Sequence, residues 1–369
     1  MQDDQDQGHG HHHHHHHHPV HPAPQFRDLP AVPTDGSPLL IDVWRGNLIE
    51  SRHEVHGAVV DSHGGVIAAW GDFEAPIYGR SAIKPLLALL LVESGAADKY
   101  QLGDREIALA CASHNGEPGH VDAVKAWLGK VGLSVDDLEC GPQAPSHEPA
   151  LRAMYEAHEG PTRVRNNCSG KHAGFLTAAT HLGFPTKGYI QYEHPLQQRL
   201  VGILEQMSGF SLTGVPRGID GCGIPTIAFP IGHHAFAMAQ FADPHHLPEA
   251  RADACRRIVK AMAAEPWYVA GTDRYCTQVM EVTGAKAAIK TGAEGVYMGA
   301  LPQHGLGICI KVADGASRAS EVAMGAVLRH LGVIDEAAEA KLQPVIEPAI
   351  KNWAGTVTGK IAPGSEARF

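Results

Sequence analysis

Strand-like segments occupy the two ends of this chain and helical periodicity fills its middle, and that order constrains the fold more than any other feature. From Leu39 to Trp70 apolar and polar residues alternate, and EVHGAVVDSHGGVIAAWG holds two β-rich runs joined by a hairpin turn, Ser62-His63-Gly64-Gly65. A helix is predicted from Ser81 to about Ser94, closed by Gly95, and a short buried strand over 106–112 enters a polar loop at Ser113. Helical periodicity then dominates over 118–132, 147–158, 169–182, 194–208, 234–242, 246–264 and 273–283. Strands return in KAAIKTGAEGVYMGAL and GLGICIKVAD, a second hairpin, followed by an amphipathic helix over 317–332 and a last strand in GTVTGKIAP. The expectation is a mixed α/β (α+β) fold whose central sheet is built from the N- and C-terminal strands, with a helical subdomain between them.

Residues 1–36 stand outside that scheme. GHGHHHHHHHH and the Pro-rich stretch after it read as an expression tag and a disordered linker. Ten of the 26 histidines lie there, so the histidine excess says nothing about the fold. The same residues hold five aspartates and one arginine, so of the net −10 the remainder keeps −6. That mild acidity argues against a nucleic-acid or anionic-membrane partner. Residues 37–369 are expected to form a single catalytic unit, with a sheet-containing part at about 37–115 and 284–369 and a helix-rich part at about 116–283. No apolar run approaches the ~20 residues of a membrane span. Seven scattered cysteines, an odd number, suit a reducing compartment, and a cytoplasmic location is expected.

Three short motifs carry the chemistry. Ser81-Ala82-Ile83-Lys84 opens a predicted helix, and residues three apart share a helix face. Alone it means little: serine is a common N-cap, Pro85 suits a first turn, and Ser-x-x-Lys occurs about once by chance in a chain this long. Ser113-His114-Asn115 then gives Ser-x-Asn, and Lys290-Thr291-Gly292 gives Lys-Thr-Gly on a predicted strand. The three in this order are the signature of serine β-lactamases and penicillin-binding proteins. A serine hydroxyl becomes nucleophilic when a neighbour takes its proton, and a lysine can do so only when burial or nearby positive charge keeps it neutral. Arg80, Lys84 and Lys290 would supply that charge. Two pairs follow, Ser81 with Lys84 and Ser113 with Lys290.

A metal site is a separate reading. Cys168 and His172 are four apart on a predicted helix, and Cys222, with Asp220 beside it, could complete a site that suits zinc. Spacing alone makes His172 the third ligand; two buried cysteines and a helix histidine are the plain structural alternative.

The spacing departs from the β-lactamases, because Ser113 follows Ser81 by only 32 residues. The chain instead resembles the class 3, rhizobial-type L-asparaginases, the asparaginase II family. Resemblance runs from about Leu39 to Lys360 and is carried by RGNLIESRHEVHGAVVD, YGRSAIKP, ACASHNGEPGH, NNCSGKHAGFL, GIDGCGIPT and IKTGAEGVY. It implies a homodimer with a serine β-lactamase/penicillin-binding protein/glutaminase-like fold that hydrolyses L-asparagine to L-aspartate and ammonia. It implies catalytic Ser81, Lys84, Ser113 and Lys290 with Arg80 adjoining, and a zinc ion on Cys168, Lys171 and Cys222 that supports substrate binding. His172 and Asp220 then become supporting or substrate groups, and Glu50, His114 and Asn115 join them as candidates for gripping the zwitterionic end of the substrate. Either serine could be the one acylated. Another serine amidohydrolase of the β-lactamase/glutaminase type, or a non-enzymatic zinc-binding module, are the alternatives.

Overall fold

The computed structural model describes residues 36–364, so the tag and linker reading falls, Gly36 apart, outside the described residues. Eleven strands are described: β1 (Leu39–Arg45), β2 (Leu48–Asp61), β3 (Val66–Trp70), β4 (Pro76–Tyr78), β5 (Arg217–Ile219), β6 (Pro225–Pro230), β7 (Ala288–Gly292), β8 (Val296–Leu301), β9 (Leu306–Val312), β10 (Ala349–Lys351) and β11 (Val357–Pro363). Eight of them form one sheet in the order β10-β11-β1-β2-β9-β8-β7, with β3 added to β2. Every pairing is antiparallel. Ile41 of β1 faces Pro363 of β11, and Val55 of β2 faces Val312 of β9, so both ends of the chain meet in one sheet as the patterning requires.

The central strands lose the simple alternation because both faces are covered. Helix Ile231–Ala242 lies over β2, β8 and β9, with Ala235 against Gly307; helix Ser317–His330 covers the other face, with Met324 near Gly299. β8 is accordingly buried at all six positions. The helix-rich part packs beyond β7, with helix Ser169–Leu182 against Asp104–Ala110 and Pro118–Val131. Among the described residues no helix is long and apolar enough to cross a membrane.

Two local expectations change. Residues 106–112 do not form a strand: Asp104–Ala110 is a helix, started at Gly103, whose N–H is bonded by the Glu106 carboxylate at 3.1 Å. A short apolar run cannot be told from a buried helix by periodicity, and alanine and leucine favour the helix. The helix expected from Ser81 to Ser94 begins as a 3-10 turn, Arg80–Ile83, and continues as Lys84–Leu87 and Leu89–Glu93, with Gly95 in the left-handed conformation at φ 88°. Several features, strand β10 among them, were not anticipated. Helix Glu336–Ile346 is capped by Asp335, whose carboxylate accepts from the Ala338 N–H, and β4, β6 and β5 form a small second sheet.

Candidate active site

The three motifs meet where β7, the 3-10 turn and the loop after Ala110 converge. β7 runs so close to the turn that a Cβ on Gly292 would come 2.9 Å from both the Ala82 nitrogen and the Gly79 oxygen. Side chains two apart share a strand face, so Lys290 projects toward the same turn as Gly292. Arg80 holds a left-handed conformation, φ 52°, which costs a non-glycine residue about 1–2 kcal/mol and leads directly into Ser81. Opposite, residues 113–115 are fixed by backbone bonds: Ser113 N–H to Val269 O, His114 N–H to Asn167 O and Asn115 N–H to Ala270 O.

Ser113 Oγ sits between two buried amines, 3.0 Å from Lys84 Nζ and 2.9 Å from Lys290 Nζ. Lys84 also donates to Ala112 O at 2.6 Å and to Cys168 Sγ at 3.2 Å. Burial pushes the Lys84 amine below its ordinary pKa, against the pull of Cys168, and pushes Lys290 well below it, with Lys84 adding to the effect. The second pairing expected from the sequence, Ser113 with Lys290, is thus a hydrogen bond. The first is not: Lys84 points its amine at Ser113. Ser81 is half-buried, and its hydroxyl makes no hydrogen bond among the described residues.

The other candidates divide. Arg80 donates to Asp220 Oδ1 at 3.1 Å, which raises its own pKa; burial works against the Asp220 carboxylate, but Arg80 and Lys171 hold its pKa low. His114 is buried, bonded to Ser169 Oγ at 2.8 Å and accepting from Gly116 N–H, and burial keeps it neutral. Asn115 is likewise committed, donating to Glu117 and Thr272 O while its oxygen accepts from Arg274. Glu50 lies on the exposed start of β2, paired with Arg45. Arg274 escaped the sequence reading altogether, although it also donates to Ser113 O at 2.9 Å. Nothing in its local pattern marks it, since it lies 161 residues from Ser113. Clefts of about 660 and 490 Å³ elsewhere on the molecule are lined by other residues.

A second cluster adjoins the first. Helix Ser169–Leu182 presses against Asp104–Ala110 so closely that a Cβ on Gly170 would come 2.2 Å from Leu109 O. Its N-terminal end carries Cys168 and Lys171, and Lys171 Nζ lies 3.0 Å from Cys222 Sγ. The Cys168 and Cys222 sulfurs interact; that interaction, with Lys171 and Lys84, pulls the Cys168 pKa well down, while the same interaction and burial push that of Cys222 up against the pull of Lys171. Burial disfavours charge on Lys171, yet the two sulfurs outweigh it and raise its pKa. Two thiols and an amine converging in a buried place fit a borderline-soft divalent cation. His172 is not part of that set: its Nδ1 faces Tyr189 Oη at 2.6 Å, and its buried Nε2 has no protein partner.

Comparison with known proteins is specific at the level of sequence families. A family model described as L-asparaginase II matches residues 41–363. No curated protein matches the chain. Among solved structures, the chain is 16% identical to Mglu in its native form in 4.3 M NaCl, with TM-score 0.41, covering 77% of this chain and 61% of that one. A β-lactamase from Mycobacterium bovis is 13% identical with TM-score 0.36, the match covering 79% of this chain and 95% of that one. A putative β-lactamase from Bacteroides dorei DSM 17855 is 14% identical with TM-score 0.40, covering 79% and 93%. At these scores the structural likeness carries no functional weight.

Proposed function

The chain belongs to the L-asparaginase II family, a family of amidohydrolases, and from that premise we propose that it hydrolyses L-asparagine to L-aspartate and ammonia through a serine nucleophile. The observation that carries the reading is the bridge Lys84–Ser113–Lys290, a hydroxyl held between two amines that burial drives toward neutrality. Such a bridge moves protons in either direction.

In this reading Ser81 attacks. Its hydroxyl is half-buried and uncommitted, whereas Ser113 is only 6% exposed and already engaged on both sides. Lys84, one turn on from Ser81, accepts the proton as Oγ bonds to the side-chain amide carbon. The proton passes to the leaving nitrogen, ammonia departs, and an aspartyl ester remains on Ser81. Water then attacks the ester, giving its proton back through the same groups, and aspartate is released. Arg80 and Asp220, of opposite charge beside the serine, would receive the α-carboxylate and α-ammonium groups.

Cys168, Lys171 and Cys222 would hold zinc, which when bound supplies a positive charge that orients and polarises a substrate oxygen. Lys171 must lose its proton to bind, so its role depends on the metal competing for the amine. A homodimer, resting on the family resemblance, and a cytoplasmic location, resting on the seven scattered cysteines, are part of the same proposal.

Ser113 as nucleophile is the second reading, favoured by its two amine contacts. Mass spectrometry of enzyme quenched during turnover separates the two: an aspartyl adduct on the peptide containing Ser81 supports the first, and one on Ser113 replaces it. Ammonia release from asparagine, glutamine and a chromogenic β-lactam tests the substrate; turnover of the lactam alone would overturn the assignment.

A further inference from the structure

Three histidines that take no part in the site described above converge elsewhere in the fold. His63 lies in the turn between β2 and β3, and His245 and His246 lie in the connection between helices Ile231–Ala242 and Glu249–Ala264. One ring nitrogen from each falls within 4.8 Å of the others. The ring centroids of His63 and His246 are 4.9 Å apart, and those of His245 and His246 are 3.7 Å apart. Four-coordinate zinc with nitrogens at ~2.0–2.1 Å sets them about 3.4 Å from one another, so a modest rotation of the exposed His63 and His246 closes the set.

A carboxylate binds the two segments together beneath the rings. Asp243, 5% exposed, accepts from Ser62 Oγ at 2.7 Å and meets His245 Nδ1 at 2.5 Å. That contact fixes the orientation of the His245 ring, as the carboxylate partner of a metal-bound histidine does. The His63 turn is equally fixed, its N–H and that of Gly65 both bonded to Asp61 Oδ1 at 2.9 and 2.8 Å.

We propose that His63, His245 and His246 form a second metal site, for a borderline divalent transition ion such as Zn2+, Ni2+ or Cu2+, that ties the β2–β3 turn to the 243–248 loop. Three imidazoles with water completing the shell suit these ions and not Mg2+ or Ca2+, which prefer oxygen. The site is independent of the proposed reaction and differs in donors from the Cys168, Lys171 and Cys222 cluster.

An ion that binds the folded state alone raises the melting temperature. The test compares the full chain with its His63→Ala and His246→Ala variants, stripped with chelator and then given NiCl2. The histidine run in residues 8–18 binds Ni2+ in folded and unfolded chains alike, and any binding at the cysteine cluster is common to all three proteins. Both therefore drop out of the difference. The expected result is a Ni2+-induced rise in Tm larger in the wild type than in either variant by about 3–6 °C at a hundredfold excess over Kd. Amide exchange at residues 62–65 and 244–248 should slow with Ni2+ in the wild type only. Equal Tm responses in all three proteins, or exchange at these segments that Ni2+ leaves unchanged, would overturn the proposal.

Discussion

Lys84 and Lys171 are buried at 0% and 3% exposure and both touch a cysteine of the same pair, yet they are driven in opposite directions. Burial lowers the Lys84 pKa, with Lys171 adding to the effect and the single nearby sulfur of Cys168 only partly opposing it. Lys171 faces two sulfurs and the Asp220 charge, and its pKa rises despite the same loss of water. Lys290 goes with Lys84, next to a second amine and a hydroxyl. Burial alone does not set the charge of a lysine; the sign of what surrounds it does. One molecule thus holds amines suited to taking a proton a few ångströms from an amine suited to holding one.

If the first group is the chemical side of that contrast, the largest loss must fall there. Ser81→Ala should lower kcat/KM for asparagine by about 10⁴-fold while leaving Tm nearly unchanged, since its hydroxyl makes no hydrogen bond among the described residues. Lys290→Met should cost about 10²–10⁴-fold, chiefly in kcat, because a methionine fills the space and cannot relay a proton. Lys171→Met belongs to the other side: zinc retained per chain, measured by atomic spectroscopy after dialysis, should fall, with an activity loss of about 10–100-fold. A Lys171→Met defect larger than that of Lys290→Met would invert the comparison. Arg274→Ala, which frees the Ser113 carbonyl and Asn115 without touching either amine, should lower kcat about tenfold with little change in KM.

The smallest effect is on stability against pH, and its sign follows from Lys290. Its folded-state pKa lies below 10.5, so between the two values the unfolded chain carries a proton that the folded one lacks. Stability contributed by this group therefore rises with pH across that window, by at most about 1.4 kcal/mol per pH unit, and is lost as pH falls through the lowered value. Urea midpoints measured over a pH series should show a shallower upward slope in Lys290→Met than in wild type. An unchanged slope would mean that Lys290 stays protonated in the fold.

Much of this architecture was readable from pattern because long periodic segments constrain themselves. Helix Ser169–Leu182 falls where its periodicity puts it, and β7, β8 and β9 lie in the two quoted runs. Helix Asp104–Ala110 differs from the strand expected over 106–112 because its apolar run Ile107–Ala110 is buried throughout and offers no polar position to set its period. Within the candidate site, Ser113 and Lys290 come together as the motif order suggests, but the partner of Lys84 could not be read from spacing. Position on a helix face says which residues are near in the chain; the loop that carries Ser113 is brought in by bonds to residues 167, 269 and 270. Arg274 was invisible for the same reason. His63 and His245 lie 182 residues apart and form no motif at all.

The absent side chain at position 292 sets the width of the site. With strand and turn already in backbone contact there, even a methyl group would wedge Lys290 away from the segment that carries Ser81. Position 292 acts as a spacer of zero thickness, and no compensating change at one neighbour restores a gap lined by main chain on both sides. Efforts to enlarge the range of accepted amides should therefore find their successful variants around Arg80, Asp220 and His172, and should find none that begins by replacing this glycine.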